Sequence, residues 1–146
     1  NYDGQVDVSY EIDKKADISI ASVHNFPVGD KFYKPKLFEK KLCQEIELRL
    51  SLAGLNNGNF DILGHPGGQS IKYYDQFPIE YFKEIIKSCK SNNIAFDLNY
   101  NYHFKHFEDI EPILIKYNPY VSLGSDAHTL KYVGIWTKVK KLSSHI

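Results

Sequence analysis

Val121-Ser-Leu-Gly-Ser-Asp126-Ala-His128 is a short apolar run that passes through a glycine into an acid and a histidine two residues apart. Its β-prone residues predict a strand, and the glycine and serine permit a turn at its end. Two earlier stretches have the same form. Ile18-Ser-Ile-Ala-Ser-Val23 runs into His24, and Phe60-Asp-Ile-Leu-Gly64 runs into His65-Pro-Gly-Gly. A lone loop histidine is ordinarily a solvated side chain. Three histidines delivered by three strand ends point to one shared site.

The intervals between these strands carry helical periodicity. From Pro35 to Ala53, the residues Phe38, Leu42, Ile46, Leu50 and Ala53 fall on one face, with Pro35 in the first turn and Gly54 at the C-terminal cap. Pro78 opens a second helix with Ile79, Phe82, Ile85, Ile86 and Cys89 inward. His106 to Tyr117 makes a third through Phe107, Ile110, Leu114 and Tyr117, stopped by Asn118-Pro119. Strands are predicted over 16–23, 60–64, 94–99 and 120–123. Loops are predicted over 24–31, 65–68 and 100–106, and a turn over 56–59. The first fifteen residues admit either an edge strand over 5–10 or helical turns over 8–15.

Strands alternating with helices predict an α/β fold of parallel strands joined by right-handed crossovers. Chemistry in such folds gathers at the C-terminal ends of the strands. His24, His65, Asn99, Asp126 and His128 all fall at or just past those ends. Four strands do not close a barrel, which typically takes about 250 residues. The sheet is therefore open, or it is the larger part of a barrel whose first strands are absent.

Composition narrows the function classes. The 146 residues suffice for one domain with a core, and 42% hydrophobic and 25% charged residues are ordinary for a soluble globular protein. Net charge is zero, so no long-range field favours nucleic acid or an anionic membrane. Arg49 is the one arginine among 18 basic residues. An anion site must then use lysine, backbone N–H groups or a metal. No apolar run approaches the roughly 18 residues of a membrane span, and no signal-peptide pattern opens the chain. Cys43 and Cys89 lie outside any C-x-x-C and predict two free thiols in a reducing, cytoplasmic compartment. The absence of methionine predicts that Asn1 is not the native start.

His24, His65, Asp126 and His128 combine imidazoles with a carboxylate, a donor set that suits Zn, Mn or Fe better than Ca or Mg. A Ser-His-Asp relay through Ser22 or Ser125 is the competing chemistry. Ser125, Asp126 and His128 are too close in sequence for the histidine to bridge the other two, and no G-x-S-x-G elbow is present. The Gly64–Gly68 loop reads equally as a phosphate cradle and as a tight turn, since the next helix is predicted only at Pro78. His103 and His106 read as an ordinary surface loop. Glu45, Glu47 and Glu84 read as solvated helix faces, and Arg49 as a surface residue.

Taken together, Ile20-Ala-Ser-Val-His24, Ile62-Leu-Gly-His65-Pro and Gly124-Ser-Asp126-Ala-His128 resemble, in order, motifs of the PHP (polymerase and histidinol phosphatase) family. Asp97-Leu-Asn99 looks like the family's Glu-x-Asn element with aspartate in place of glutamate. Gly134 looks like the glycine that often follows the last motif. The resemblance spans nearly the whole chain. It implies a distorted TIM-type (β/α)7 barrel with up to three metals at the strand ends. Carried over, His24 and His65 would be ligands of one metal, Asp126 of another and His128 of a third. Asp126 and His128 would stand at the catalytic centre, and Asn99 would line the substrate pocket.

The implied reaction is in-line attack of metal-activated water on a small phosphorylated substrate, a phosphomonoester, with no protein nucleophile. The family's opening His-x-His, a further histidine and a metal-bridging glutamate do not precede Asn1. Asn1-Tyr-Asp-Gly looks like the segment just after that glutamate. The expectation is that residues 1–146 form a single portion, the C-terminal part, of a histidinol-phosphatase-like hydrolase. The alternative is a non-catalytic PHP-like binding or structural module. A nuclease or polymerase-associated module fits poorly with zero net charge and one arginine.

Overall fold

A computed structural model describes residues 2–6 and 16–133. The helical turns expected over 8–15, residues 7–10 of the alternative edge strand over 5–10, and Gly134 lie outside the described residues. Six strands are present among those described: β1 (Ile20–Ser22), β2 (Phe26–Val28), β3 (Lys31–Tyr33), β4 (Ile62–Gly64), β5 (Ala95–Asn99) and β6 (Val121–Gly124). The helices are α1 (Lys40–Asn57), α2 (Gly68–Tyr74), α3 (Ile79–Asn92), α4 (Tyr100–His103) and α5 (Phe107–Tyr117).

The main sheet runs β1-β4-β5-β6, parallel throughout, with Ser22 opposite Gly64 and Asn99 opposite Gly124. The alternation of strand and helix read from the sequence is thus present. Among the described strands the order follows chain order without reversal, with no switch-point crevice of the doubly wound kind. The C-terminal strand ends therefore form one continuous rim. All the candidate residues lie on it.

Helix α3 shows why the sequence folds this way. Phe82, Ile85, Ile86 and Cys89 recur at helical spacing and are all buried, Glu80 stands in the first turn, and Asn93 closes the helix in the left-handed conformation. α3 packs between α1 and α5. Leu55, Phe60, Leu63, Phe96, Leu98, Ile110 and Leu114 join it in one core. Phe26, Cys43, Ile46 and Leu50 form a second cluster, closed by Val23, Phe38 and Tyr74. No helix among the described residues is long and apolar enough to cross a membrane.

Several local expectations need correction. The first helix starts at Lys40, not Pro35, because Pro35–Leu37 is a 3₁₀ turn and Phe38 is extended. It runs through Gly54 to Asn57 and is capped at Gly58. Its buried stripe is Cys43, Ile46, Glu47, Leu50, Ser51 and Leu55, which leaves Leu42 47% exposed. The first strand is confined to 20–22. The loop predicted over 24–31 is largely the antiparallel hairpin β2–β3, turned at Gly29. The Gly64–Gly68 loop does open a helix, α2, well before Pro78. Residues 100–106 are helical rather than an open loop.

Candidate active site at the strand ends

His65 is the first residue after β4, and His24 is the second after β1. Because β1 and β4 are adjacent and in register, the two imidazoles meet, with ring centroids 5.2 Å apart. His65 is buried and His24 exposed. Burial holds the His65 pKa below its ordinary value; the nearby Asp126 carboxylate pulls it up, and His24 and His128 push it down. A neutral imidazole keeps a lone pair, which is the state a metal ligand needs. Tyr102 also stands against His65, at 5.2 Å between ring centroids.

Asp126 comes from the far side of the rim, two residues beyond β6. Its carboxylate accepts a hydrogen bond from the Tyr102 hydroxyl, and burial together with that carboxylate keeps the tyrosine's pKa above normal. Asn101 Nδ2 donates to the Ser125 carbonyl at 3.2 Å, tying α4 to the same segment. His128 turns back, with Nδ1 2.7 Å from the Asp126 carbonyl oxygen and 3.7 Å from its Oδ1, while its side chain stays 78% exposed.

Two site residues adopt unusual backbone. His65 has φ of 34° and Asp126 of 49°. The other non-glycine residues of positive φ, Asp75, Asn93 and Asn118, are helix C-caps, where that conformation is common. His65 and Asp126 have no such explanation. Strained backbone of this kind persists where the surroundings over-determine it, and it clusters at functional sites.

Those surroundings are buried polar side chains. Alternation along β5 places Phe96 and Leu98 in the core and Asp97 and Asn99 on the opposite face, all four buried. The Asp97 carboxylate accepts from the His65 N–H at 3.0 Å, from Asn99 Nδ2 at 3.5 Å and from the Gly124 N–H. Burial raises its pKa, and these donors oppose that rise. A side chain at Gly124 would place its Cβ 2.5 Å from Asp97 Oδ1, and one at Gly68 would meet His65 Nδ1 at 2.9 Å. Both glycines are there for close approach.

His103 is fully buried, which corrects its reading as a surface residue. Its Nδ1 accepts from the Asn99 N–H at 3.0 Å, so Nε2 carries the proton and donates to the Pro66 carbonyl at 2.9 Å. Its ring lies between Phe82 and Phe96. Burial presses its pKa down to about 4. Glu47 is likewise not a solvated residue. At 1% exposure its carboxylate accepts from the N–H groups of Gln69 (2.9 Å) and Ser70 (2.8 Å) and from the Ser70 hydroxyl (2.5 Å), and burial raises its pKa to about 7. An acid on an apolar helix stripe was the available signal, since a buried carboxylate demands partners.

The strand ends thus pair His24 with His65, and Tyr102 stands against His65 and donates to Asp126, with His128 exposed beside Asp126. Asn99, expected to touch substrate, is 1% exposed; its Oδ1 accepts from the Asn101 N–H at 3.0 Å and caps α4. Among the described residues, no group of three or more His, Cys, Asp or Glu is arranged to hold a metal ion. The donor types, imidazole and carboxylate, are those a transition metal takes. A hollow of ≈ 940 Å³ along β1 is lined by Ser22, His24, Phe32 and Leu63, and by neither His65 nor Asp126.

No family model matches the chain. It is similar along its whole length to proteins named probable phosphatases. One, from Clostridium novyi (strain NT), is 27% identical over 154 residues, covering 100% of this chain and 55% of that protein. Another, from Caldanaerobacter subterraneus subsp. tengcongensis, is 28% identical over 148 residues, covering 99% and 53%. A deoxyribose-phosphate aldolase of the same organism is 28% identical over 89 residues, covering 58% of this chain and 38% of the aldolase. The chain spans about half the length of the probable phosphatases it matches.

Proposed function

We propose that this chain is part of a metal-dependent phosphoester hydrolase of the PHP, histidinol-phosphatase-like kind, acting on a small phosphomonoester. The observation that carries the reading is the pairing of His24 with His65 at adjacent strand ends, with Asp126 in electrostatic reach of His65. Whole-length similarity to probable phosphatases supports it. So does a barrel wall as the setting. The strands keep chain order, the helices pack in the same order, and exposed Ile20 in β1, with Ile18 and Tyr120 beside the two outer strands, leaves apolar side chains uncovered there. A partial match to an aldolase of phosphorylated sugar fits the same setting.

In this reading residues 1–146 are one portion of a distorted (β/α)7 barrel. His24 and His65 would hold one ion of Zn, Mn or Fe, with Asp126 and His128 serving others. Bound metal supplies an activated water and neutralises phosphoryl oxygens. The chain's own residues prepare the place. Burial holds the His65 pKa down, Tyr102 orients the Asp126 carboxylate, and His128 folds back onto the Asp126 carbonyl at the rim. Asn99 contributes by holding α4, which carries Tyr102. A cytoplasmic setting accords with its two unpaired thiols.

The test is the metal content of the purified chain by plasma mass spectrometry, beside a His24→Ala, His65→Ala double variant. About one Zn, Mn or Fe per chain, lost in the variant, is expected. A folded, metal-free chain would favour the second reading, a non-catalytic PHP-like module.

A further inference from the structure

The His65–Gly68 loop is anchored at its downstream end by a residue that the hydrolase reading leaves without a task. Glu47 arrives from α1, and both its oxygens are spent on the first turn of α2. The N–H groups of Gln69 and Ser70 are donors that a helix start leaves without intrahelical partners. After a glycine-rich loop, such donors are what a phosphate would use. Here the chain's own carboxylate has taken them. Glutamate suits the task because both its oxygens can accept from the three donors that face them, and negative charge is favourable at a helix N-terminus. A glutamine would turn an NH2 group toward an N–H.

The loop is held at two further points. Asp97 on β5 accepts the His65 N–H, and His103 on α4 donates to the Pro66 carbonyl. Between these anchors lie His65, with φ of 34°, and Gly67, with φ of 78°. Asp97 and His103 secure the loop's beginning, and Glu47 secures its end. With the end released, the turn keeps its own Gly68 N–H to His65 carbonyl bond (2.9 Å) but loses its tie to α1, at a place where a Cβ on Gly68 would already stand 2.9 Å from His65 Nδ1.

We propose that Glu47 is a positioning residue for His65: it locks the start of α2 onto α1 and so sets where the imidazole stands relative to His24 and Asp126. It also makes the α2 N-terminus an internal carboxylate site, so the substrate phosphate binds elsewhere on the rim. What His65 is positioned for rests on the hydrolase reading, whereas the anchoring does not.

The experiment compares the 146-residue chain with its Glu47→Gln and Ser70→Ala variants by imidazole 15N–1H NMR and by zinc titration. In Glu47→Gln the His65 ring resonances should move and broaden while the amide spectrum of β5 and α3 is retained. Zinc affinity should fall, by less than the about 10- to 100-fold that follows loss of a direct partner of a metal ligand, because Glu47 acts on His65 through α2. Ser70→Ala removes one of the three bonds without introducing a repulsive donor, and should give the same change at smaller size. Unchanged His65 resonances in a folded Glu47→Gln chain would overturn the proposal. If Glu47→Gln does not fold, the same result in Ser70→Ala would overturn it. Absence of zinc binding in the unaltered chain would remove the metal reading, and the ring resonances would still decide the role of Glu47.

Discussion

The backbone N–H of His65 donates to the Asp97 carboxylate at 3.0 Å, so the residue that ends β4 is placed by a side chain of the neighbouring strand. The same carboxylate takes the N–H of Gly124, at the end of β6. One buried acid thereby holds two of the three segments that build the candidate site.

Asp97→Ala should therefore destabilise the chain by about 1–3 kcal/mol, the cost of leaving a buried donor unpaired. Gly124→Ala should cost a similar amount, because its Cβ would stand 2.5 Å from Asp97 Oδ1. The two are coupled. In the Asp97→Ala background the Gly124→Ala penalty should largely vanish, and urea unfolding of the four-member cycle measures this. Strict additivity would mean that the carboxylate is not what Gly124 accommodates.

Acid should unfold the protein partly through His103. Its pKa falls from 6.5 to about 4 on folding, first because of burial, with His65 and His106 adding to the effect and the Pro66 bond opposing it. A depressed folded pKa means that the contribution is complete above pH 6.5 and is lost as pH falls toward 4. The span corresponds to about 3 kcal/mol. Guanidinium midpoints measured across that window should fall with pH, and His103→Gln, less stable at neutral pH, should show a flatter profile. Equal slopes in both proteins would assign the acid sensitivity to other groups.

Both thiols should be inert in the native state. Cys43 and Cys89 are 0% exposed, and burial pushes their pKa values up to about 11 and about 12. The thiolate is the reactive form, so neither access nor ionisation favours reaction. Ellman's reagent at pH 8 should label neither rapidly in the folded chain and both in guanidinium. Fast labelling of Cys43 alone would show that α1 separates from α2 at Ser70.

The sequence by itself determined the repeating plan and the residues at its rim. Apolar runs of strand length alternating with helical stripes dictate parallel strands, and in that plan a histidine or acid just past a strand reaches the C-terminal edge. His24, His65 and Asp126 were legible for that reason, because local pattern sets both the strand and where it stops. Only the tertiary structure decided what supports them. Glu47, Asp97 and His103 are polar residues whose burial depends on donors and acceptors far away in the chain, at Gln69 and Ser70, at His65 and Gly124, and at Pro66. Helix α2 was illegible for the same reason. Its seven residues are marginal alone and are held by a carboxylate from another helix.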